Sequence, residues 1–219
     1  ANENAANSQF TITLSEASEQ DITVSYATSD GTATAGADYT AISATQLTIA
    51  AGATTATFNV GVLADSLDEA NETVTLTLSS ASSTATISDA TATLTITDDD
   101  ATPSLSIADV SGNETAGNRQ FTVTLSAASG LAVTVNYATS DGTATAGADY
   151  TAISATTLTF SPGQTTKTFN VAVLADSLDE ANETVTLTLS SVGNATISDA
   201  TGTLTITDDD ATPQLLIPD

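Results

Sequence analysis

The sequence predicts an all-β protein made of two tandem antiparallel β-sandwiches arranged head to tail. Three observations support this fold class. Apolar and polar residues alternate with a period of two, the 219-residue chain repeats itself after about 110 residues, and no segment has the spacing of an amphipathic helix. A chain of this length has room for two domains of about 110 residues each.

Two long strings of sequence occur twice in the chain. Residues 28–44 recur at 139–155, and residues 62–80 recur without change at 173–191. Near-identical copies predict two domains with the same fold. The predicted boundaries are a first sandwich at 1–100, a complete sandwich at 101–210 and a separate strand-like segment at 211–219.

Seven strands, labelled A to G in chain order, are predicted in the second copy. In the segment TVTLTL, Val185, Leu187 and Leu189 face one way and the threonines face the other, which is typical of a half-buried antiparallel strand. Seven short strands in about 100 residues, separated by turn signals such as Asp-Gly and Pro-Gly, indicate an immunoglobulin-like sandwich. The predicted strands cover residues 103–107, 119–126, 131–139, 156–160, 166–174, 183–190 and 201–207.

The composition excludes several classes of function. The chain has 27 acidic side chains against two basic ones, Arg119 and Lys167, and it has no His, Cys or Trp. Nucleic acids and anionic membranes need Lys and Arg, so neither is expected as a partner. No apolar run approaches the ~20 residues of a membrane helix, so no membrane insertion is expected. Without His or Cys a nucleophilic triad is impossible, and we expect no enzyme.

The acidic residues are concentrated at one end of each predicted sandwich. Consecutive strands run up and down, so the A–B, C–D and E–F loops and the end of strand G share one pole, and most carboxylates of each copy fall there. Each like-charge pair a few ångströms apart costs about 1–4 kcal/mol. Clustered oxygen ligands without imidazole or thiolate favour Ca²⁺ over zinc or copper. The alternative is a solvated acidic rim.

Three ordered motifs resemble those of a known family. GADYTA, ADSLDEANETVTL and TLTITDDD each occur in both copies. Together they resemble the Calx-beta domain, the calcium-binding module of sodium/calcium exchangers and many bacterial surface proteins. The resemblance implies several Ca²⁺ ions per domain, bound at the tip of the sandwich, and an extracellular or cell-surface location.

The resemblance implies the same ligand set in both copies. It consists of a Glu before strand B, the Asp of the Asp-Tyr pair, three acids and a backbone carbonyl of the E–F loop, and the Asp triplet after strand G. In the first copy these residues are Glu3, Asp38, Asp65, Leu67, Glu69, Glu72, Asp98, Asp99 and Asp100. In the second copy they are Glu114, Asp149, Asp176, Leu178, Glu180, Glu183, Asp208, Asp209 and Asp210.

Two details of the pattern bear on the ligand count. Ser66 and Ser177 stand where an acid can occur in the family, so the number of ions per domain is left open. Asp30 and Asp141 precede glycines and are interpreted as turn residues.

The two copies are out of phase by one strand. Residues 212–219 match the start of the second copy, with Leu215 and Ile217 in the places of Leu105 and Ile107. The first copy has no equivalent start, so we expect its sandwich to lack its own first strand. The matching segment is then expected to complete the first sandwich of a neighbouring copy, which would give a head-to-tail homopolymer. The alternative is that it begins a further repeat in a longer covalent adhesin.

These inferences predict a calcium-stabilised structural or adhesive module that forms an extracellular filament or rod. An adhesive role would add a surface receptor, which the sequence does not name. A regulatory calcium sensor is the other candidate, and it would need a partner domain.

Overall fold

The computed structural model describes residues 1–217, which form two compact units that divide between Asp100 and Ala101. Both units are built of β-strands, and the only helical element among the described residues is a short 3₁₀ turn at Glu114–Ala116. The predicted all-β fold is therefore confirmed. No helix in residues 1–217 is long and apolar enough to cross a lipid bilayer.

Unit 1 has six strands in two sheets. The larger sheet has the order β3-β2-β5-β6, and its neighbouring strands are all antiparallel. The smaller sheet is the antiparallel pair β1-β4. The strands are β1 Asn7–Thr13, β2 Ile22–Asp30, β3 Thr45–Ile49, β4 Thr55–Gly61, β5 Glu72–Ser79 and β6 Thr91–Ile96.

Unit 2 has nine strands in two sheets. One sheet has the order β11-β10-β13-β15-β8 and the other has the order β12-β9-β7-β14. The strands are β7 Ser104–Ile107, β8 Val110–Asn113, β9 Arg119–Leu125, β10 Val133–Asp141, β11 Thr156–Phe160, β12 Thr166–Val171, β13 Glu183–Gly193, β14 Thr196–Ile197 and β15 Thr201–Thr207.

The core of unit 2 lies between its two sheets. Val185, Leu187 and Leu189 of β13 are buried, as their alternation with threonine predicts. Phe169 of the opposite sheet stacks on Phe121, with ring centroids 5.6 Å apart. The alternating residues therefore supply one wall of the core, and the aromatic rings fill the space between the sheets.

The predicted strand A, 103–107, corresponds to β7, and a second strand that was not predicted, β8, follows it. β7 pairs with β9 in one sheet, whereas β8 runs parallel to β15 in the other. The chain crosses between the sheets at Ala108 and Asp109, where the Asp109 carboxylate accepts a hydrogen bond from the Thr203 N–H at 2.7 Å. Gly202 leaves room for this crossing, since a Cβ there would come within 3.3 Å of the Ala108 carbonyl oxygen. The prediction placed a loop between residues 107 and 119 and missed β8, because the sequence does not mark the crossing.

The bounds of four other strands differ from those predicted. Strand B ends one residue earlier, strand C begins two residues later and extends to Asp141, strand E ends at Val171, and strand F continues to Gly193. The extension of strand F follows a register shift in its pairing with β10, between Thr134 and Asn136. Such an irregularity carries no signal in an alternating pattern.

Of the two strands β7 and β8 of unit 2, only β8 has a counterpart in unit 1. Asn2 forms a parallel bridge with Thr97, and the Glu3 N–H donates to the Thr97 carbonyl at 3.1 Å, as β8 does with β15 in unit 2. No counterpart of β7 is present among residues 1–100. The segment 211–217 forms no strand, and Leu215 is fully exposed.

Candidate metal centre

Each unit gathers carboxylates from four separate parts of the chain at one end of its strands. In unit 1, Glu72 begins β5, and Asp98 follows the end of β6, which is its antiparallel neighbour. Glu3 pairs with the same end of β6 through its backbone, and Asp38 lies in the β2–β3 connection. Antiparallel pairing thus brings the start of one strand and the end of the next to a single tip.

Unit 1 contains two carboxylate clusters, within each of which one oxygen per residue lies within 4.8 Å of the others. Burial is the main cause of the raised pKa of Glu3 in one cluster and of Glu69 in the other, and the negative charge of Asp65 adds to both shifts, so Asp65 is close to both. The two clusters therefore form one continuous acidic tip. Their members are Glu3, Asp98 and Asp100 in the first and Asp38, Glu69 and Glu72 in the second.

Unit 2 contains three overlapping clusters that share members. Glu114 belongs to two of them, and Glu180 also belongs to two. The shared residues join all the clusters into one chain of carboxylates. The clusters are Glu114 with Asp208 and Asp210, Glu114 with Asp176 and Glu180, and Asp149 with Glu180 and Glu183.

Several of these carboxylate oxygens are buried without a hydrogen-bond partner. Glu3 is 7% exposed and Glu114 is 6% exposed, and the Oε1 atom of each has no partner. The same is true of one side-chain oxygen each of Asp100, Asp208 and Asp210. A buried carboxylate oxygen without a partner is costly, and a bound cation would supply the missing interaction.

The pKa values of three glutamates are strongly raised. Burial raises the pKa of Glu3 to about 7, with added contributions from Asp100 and other acids. Burial and the neighbouring Asp38 raise the pKa of Glu72 to about 7. A hydrogen bond with Asp210, followed by burial, raises the pKa of Glu114 to about 7. Without a cation, the tips therefore hold protons at pH values where an exposed glutamate is ionised.

The E–F loop is held by an internal hydrogen bond in both units. The Leu67 N–H donates to Oδ1 of Asp65 at 2.7 Å, and the Leu178 N–H donates to Asp176 at the same distance. This Asx turn fixes the backbone between the acids of the loop. That the Leu67 and Leu178 carbonyls bind a cation stays a prediction.

The middle residue of each Asp triplet lies outside the clusters. Oδ1 of Asp99 accepts a hydrogen bond from the Asn4 side chain at 2.8 Å, and Asp209 accepts from the Thr115 hydroxyl and from Asn113. These hydrogen bonds lower the pKa of both aspartates. Asp99 and Asp209 thus tie the loop before strand B to the end of strand G.

Two asparagines support the site, although they are absent from the predicted ligand set. Oδ1 of Asn71 accepts a hydrogen bond from the Asp98 N–H at 3.0 Å, and Asn182 accepts from the Asp208 N–H at 3.2 Å. The signal for this role was the Asn that directly precedes a ligand Glu in both copies.

The aspartates interpreted as turn residues lie away from the clusters. Oδ1 of Asp30 accepts hydrogen bonds from the Tyr39 hydroxyl at 2.7 Å and from the Ala35 N–H at 3.0 Å. Asp141 is bound in the same way by Tyr150 and Ala146. Because each tyrosine ring is buried, this contact anchors the C–D loop.

The donor set of both tips consists of carboxylate oxygens, and the chain contains no imidazole or thiolate ligand. Such sets suit hard cations that take six or more oxygen ligands. The unpartnered buried oxygens and the shared cluster members fit this kind of ion.

Comparison with known proteins agrees with this geometry. The family model of the Calx-beta domain matches residues 1–100 and, separately, residues 101–210. The chain belongs to the Calx-beta family. The resemblance seen in the three sequence motifs is thereby confirmed, and both Calx-beta domains carry the acidic tip described above.

Two solved structures match most of the chain at low sequence identity. The crystal structure of CBD12 from CALX1.2 shares 19% identity over 94% of each chain, with a TM-score of 0.46. The crystal structure of the calcium binding domain CBD12 of CALX1.1 shares 23% identity over 87% of this chain and 76% of the other, with a TM-score of 0.45. A search of curated proteins found no match.

Proposed function

We propose that the chain is a calcium-stabilised structural module of an extracellular filament, in which the tip of each Calx-beta domain binds several Ca²⁺ ions. The observation that carries this proposal is the pair of acidic tips with buried, unpartnered carboxylate oxygens. Ca²⁺ takes 6–8 oxygen ligands in flexible geometry, and the tips supply such ligands from four parts of the chain.

More than one ion per domain is supported by the shared cluster members in unit 2. Asp208 and Asp149 belong to different clusters, which are joined only through Glu114 and Glu180. Glu114 and Glu180 each stand between two clusters, as bridging ligands between adjacent ions would.

A stabilising role follows from the charge. The chain carries a net charge of −25, and without cations the repulsion at each tip opposes the folded state. Ca²⁺ binds the folded tip and not the extended chain, so it shifts the equilibrium towards folding by mass action. We place the module outside cells, because extracellular Ca²⁺-binding modules work with dissociation constants of about 10⁻⁴–10⁻³ M and their sites stay filled there.

A regulatory calcium sensor is the second candidate. The observation in its favour is that Glu3, Glu72 and Glu114 have pKa values of about 7, because a tip that must release protons binds Ca²⁺ more weakly. A sensor fills and empties as the Ca²⁺ concentration changes, whereas a structural site stays filled.

Titration calorimetry with Ca²⁺ tests the proposal, together with thermal melts in Ca²⁺ and in chelator. We expect more than one Ca²⁺ per domain, occupancy at 1 mM Ca²⁺ and a large rise in melting temperature. Absence of any melting shift would refute the calcium proposal. A Ca²⁺-dependent change of shape in X-ray scattering with little gain in stability would favour the sensor.

A further inference from the structure

An apolar groove is open along one side of unit 1, and we propose that it binds the segment 213–217 of a second copy of the chain as an added β-strand. The inference goes beyond calcium binding and does not depend on it, since the groove is formed by strands and not by the acidic tip. It names the partner that would link subunits into a filament.

The groove lies between β1 and the connection from β5 to β6. It has a volume of about 260 Å³ and continues into a smaller cavity of about 80 Å³ next to Leu14. Ala92 of β6 lines it and is exposed, although it alternates with the buried Leu94 and Ile96 on the same face. An inward-facing position that is open to solvent marks a missing layer of the sandwich. The principal lining residues are Phe10, Ile12, Phe58, Leu76, Leu78 and Ala92.

In unit 2 the equivalent space is filled by β7. This strand pairs antiparallel with β9, so that Leu105 lies opposite Leu125 and Ile107 lies opposite Val123. All four side chains are buried in one continuous core. In unit 1 the strand equivalent to β9 is β1, which pairs only with β4.

The two units contain an identical sequence with different structures at this place. The string ATISD occurs at 85–89 and at 195–199. In unit 2 it forms β14, which runs parallel to β7, whereas residues 85–89 form no strand. The loops that lead into the two strings differ, but only the second string has a strand beside it, and β7 supplies the pairing that makes residues 196–197 a strand. Residues 85–89 are therefore the second edge with which a β7-like strand in the groove would pair.

The segment 213–217 has the sequence required of that strand. Residues 212–219 read TPQLLIPD where the start of the second copy reads TPSLSIAD. Leu215 and Ile217 correspond to the buried Leu105 and Ile107, but they are 103% and 97% exposed. Burying both residues in the groove of another copy would cover apolar surface on both partners.

The register of the added strand follows from unit 2. Leu215 would lie opposite Leu14 and Ile217 opposite Ile12. In unit 2 the carbonyl of Pro103 accepts a hydrogen bond from the Thr196 N–H at 2.9 Å, and the Leu105 carbonyl accepts from the Ser198 N–H at 2.9 Å.

The same hydrogen bonds are available in unit 1. The N–H groups of Thr86 and Ser88 take the places of those of Thr196 and Ser198, and they would donate to the carbonyls of Pro213 and Leu215. Ala92 replaces Gly202 at the end of the groove, so the added strand sits slightly further out than β7 does.

This contact joins the segment of one copy to the groove of the next, and the joined pair keeps one free segment and one free groove. Such an unlike, non-closing contact produces a linear filament and not a closed dimer.

Two variants of the full chain test the proposal. Leu215→Asp with Ile217→Asp disables the segment and leaves the groove, whereas Ala92→Leu fills the groove and leaves the segment. Leu216→Ser is the matched control, since Ser106 occupies that place in unit 2 and the side chain faces outward. Light scattering measures the mass of each protein over a range of concentrations.

We expect wild type and the Leu216→Ser control to form concentration-dependent polymers, and each disabling variant to remain at the 21.8 kDa of one chain. A mixture of the two disabling variants should stop at a 1:1 dimer, because it contains one working groove and one working segment. A third protein, which carries both the segment and the groove substitutions, is the negative control and should form no dimer.

Monomeric wild type at all concentrations, or no dimer in the mixture, overturns the proposal. A monomer whose melting temperature falls with the Leu215 and Ile217 changes, independently of concentration, also overturns it, since the segment would then fold back within its own chain. All mixtures are measured in Ca²⁺ and in chelator, and Ca²⁺ binding is measured on the segment-disabled monomer. Failure of the calcium proposal and failure of strand donation are therefore distinguished.

Discussion

The carboxylates of Glu114 and Asp210 lie within 4.8 Å of each other after the end of β15, and each has a buried oxygen without a hydrogen-bond partner. The neighbouring Asp210 carboxyl is the largest cause of the raised pKa of Glu114, followed by burial. A proton and a cation therefore compete for the same oxygens, and the protein's response to pH should reverse when Ca²⁺ is added.

The first prediction concerns this reversal. In chelator, the folded state holds protons on Glu3, Glu72 and Glu114 up to a pKa of about 7, whereas the unfolded chain releases them near the ordinary glutamate value of 4.5. The folded state binds more protons in this window, so stability falls as the pH rises from about 4.5 to 7 and is level above it. We expect melting temperatures in chelator to decrease from pH 5 to pH 7.

With saturating Ca²⁺ the slope should have the opposite sign, because binding requires ionised carboxylates and is opposed by protons. Melting temperature should then increase from pH 5 to pH 7. Differential scanning calorimetry at pH 5, 6, 7 and 8 measures both series. A chelated protein that becomes more stable between pH 5 and pH 7 would contradict the raised pKa values of these three glutamates.

The second prediction concerns Glu114, which belongs to two clusters. Glu114→Gln removes one negative charge from the tip, so in chelator the melting temperature of unit 2 should stay the same or rise. In Ca²⁺ the substitution should weaken binding at least about tenfold, which corresponds to about 1.4 kcal/mol. Asp199→Asn is the matched control, since Asp199 precedes β15 at the opposite end of that strand from Asp208. Equal effects of the two substitutions on Ca²⁺ affinity would argue against the assigned site.

The third prediction separates a supporting residue from a ligand. Asn182→Ala removes the acceptor of the Asp208 N–H without changing the charge of the tip. Residues that orient ligands typically contribute about 10–100-fold to metal affinity, so we expect a loss in that range with the pH dependence of the chelated protein unchanged. Asn170→Ala, at an exposed position of β12, serves as the comparison. Unaltered calorimetric affinity in the Asn182 variant would show that the hydrogen bond does not position Asp208.

Much of the fold and site could be predicted from the sequence, because both rest on simple periodic patterns. The alternation places Val185 and Leu187 in the core and marks the strands. Because consecutive strands run up and down, the order of the strands then indicates the pole at which the acids lie. What could not be predicted depends on contacts between distant residues. The roles of Asp99 and Asp209 follow from hydrogen bonds to Asn4 and Thr115, which no local pattern encodes.

The strand β8, which lies in the predicted loop after strand A, was missed for a similar reason. The crossing is fixed by Asp109 and by the absence of a side chain at Gly202, which lies about 90 residues further along the chain. The presence of two strands, β7 and β8, before β9 also changes what unit 1 was expected to lack. Unit 1 retains the β8-like contact through Asn2 and Thr97, and the part without a counterpart is the β7-like strand alone.

The last prediction uses the two units as controls for each other. Leu125 in unit 2 is 3% exposed and lies opposite Leu105, whereas its counterpart Leu14 in unit 1 is only half-buried. In the segment-disabled variant, Leu125→Ala should lower the free energy of unfolding of unit 2 by about 2–5 kcal/mol, as truncations in packed cores do. Leu14→Ala should lower that of unit 1 by clearly less. Calorimetry would show a fall of about 10 °C or more for unit 2 and a smaller fall for unit 1.

The comparison becomes sharper when the segment is restored. If Leu215 of another copy packs on Leu14, then Leu14→Ala in the assembling protein should approach the cost of Leu125→Ala, because the same pair of leucines would then be buried in both units. A cost of Leu14→Ala that is unchanged by assembly would mean that the groove stays open, whatever holds the copies together. The difference between the two substitutions thus reports groove filling residue by residue, independently of Ca²⁺ and of particle mass.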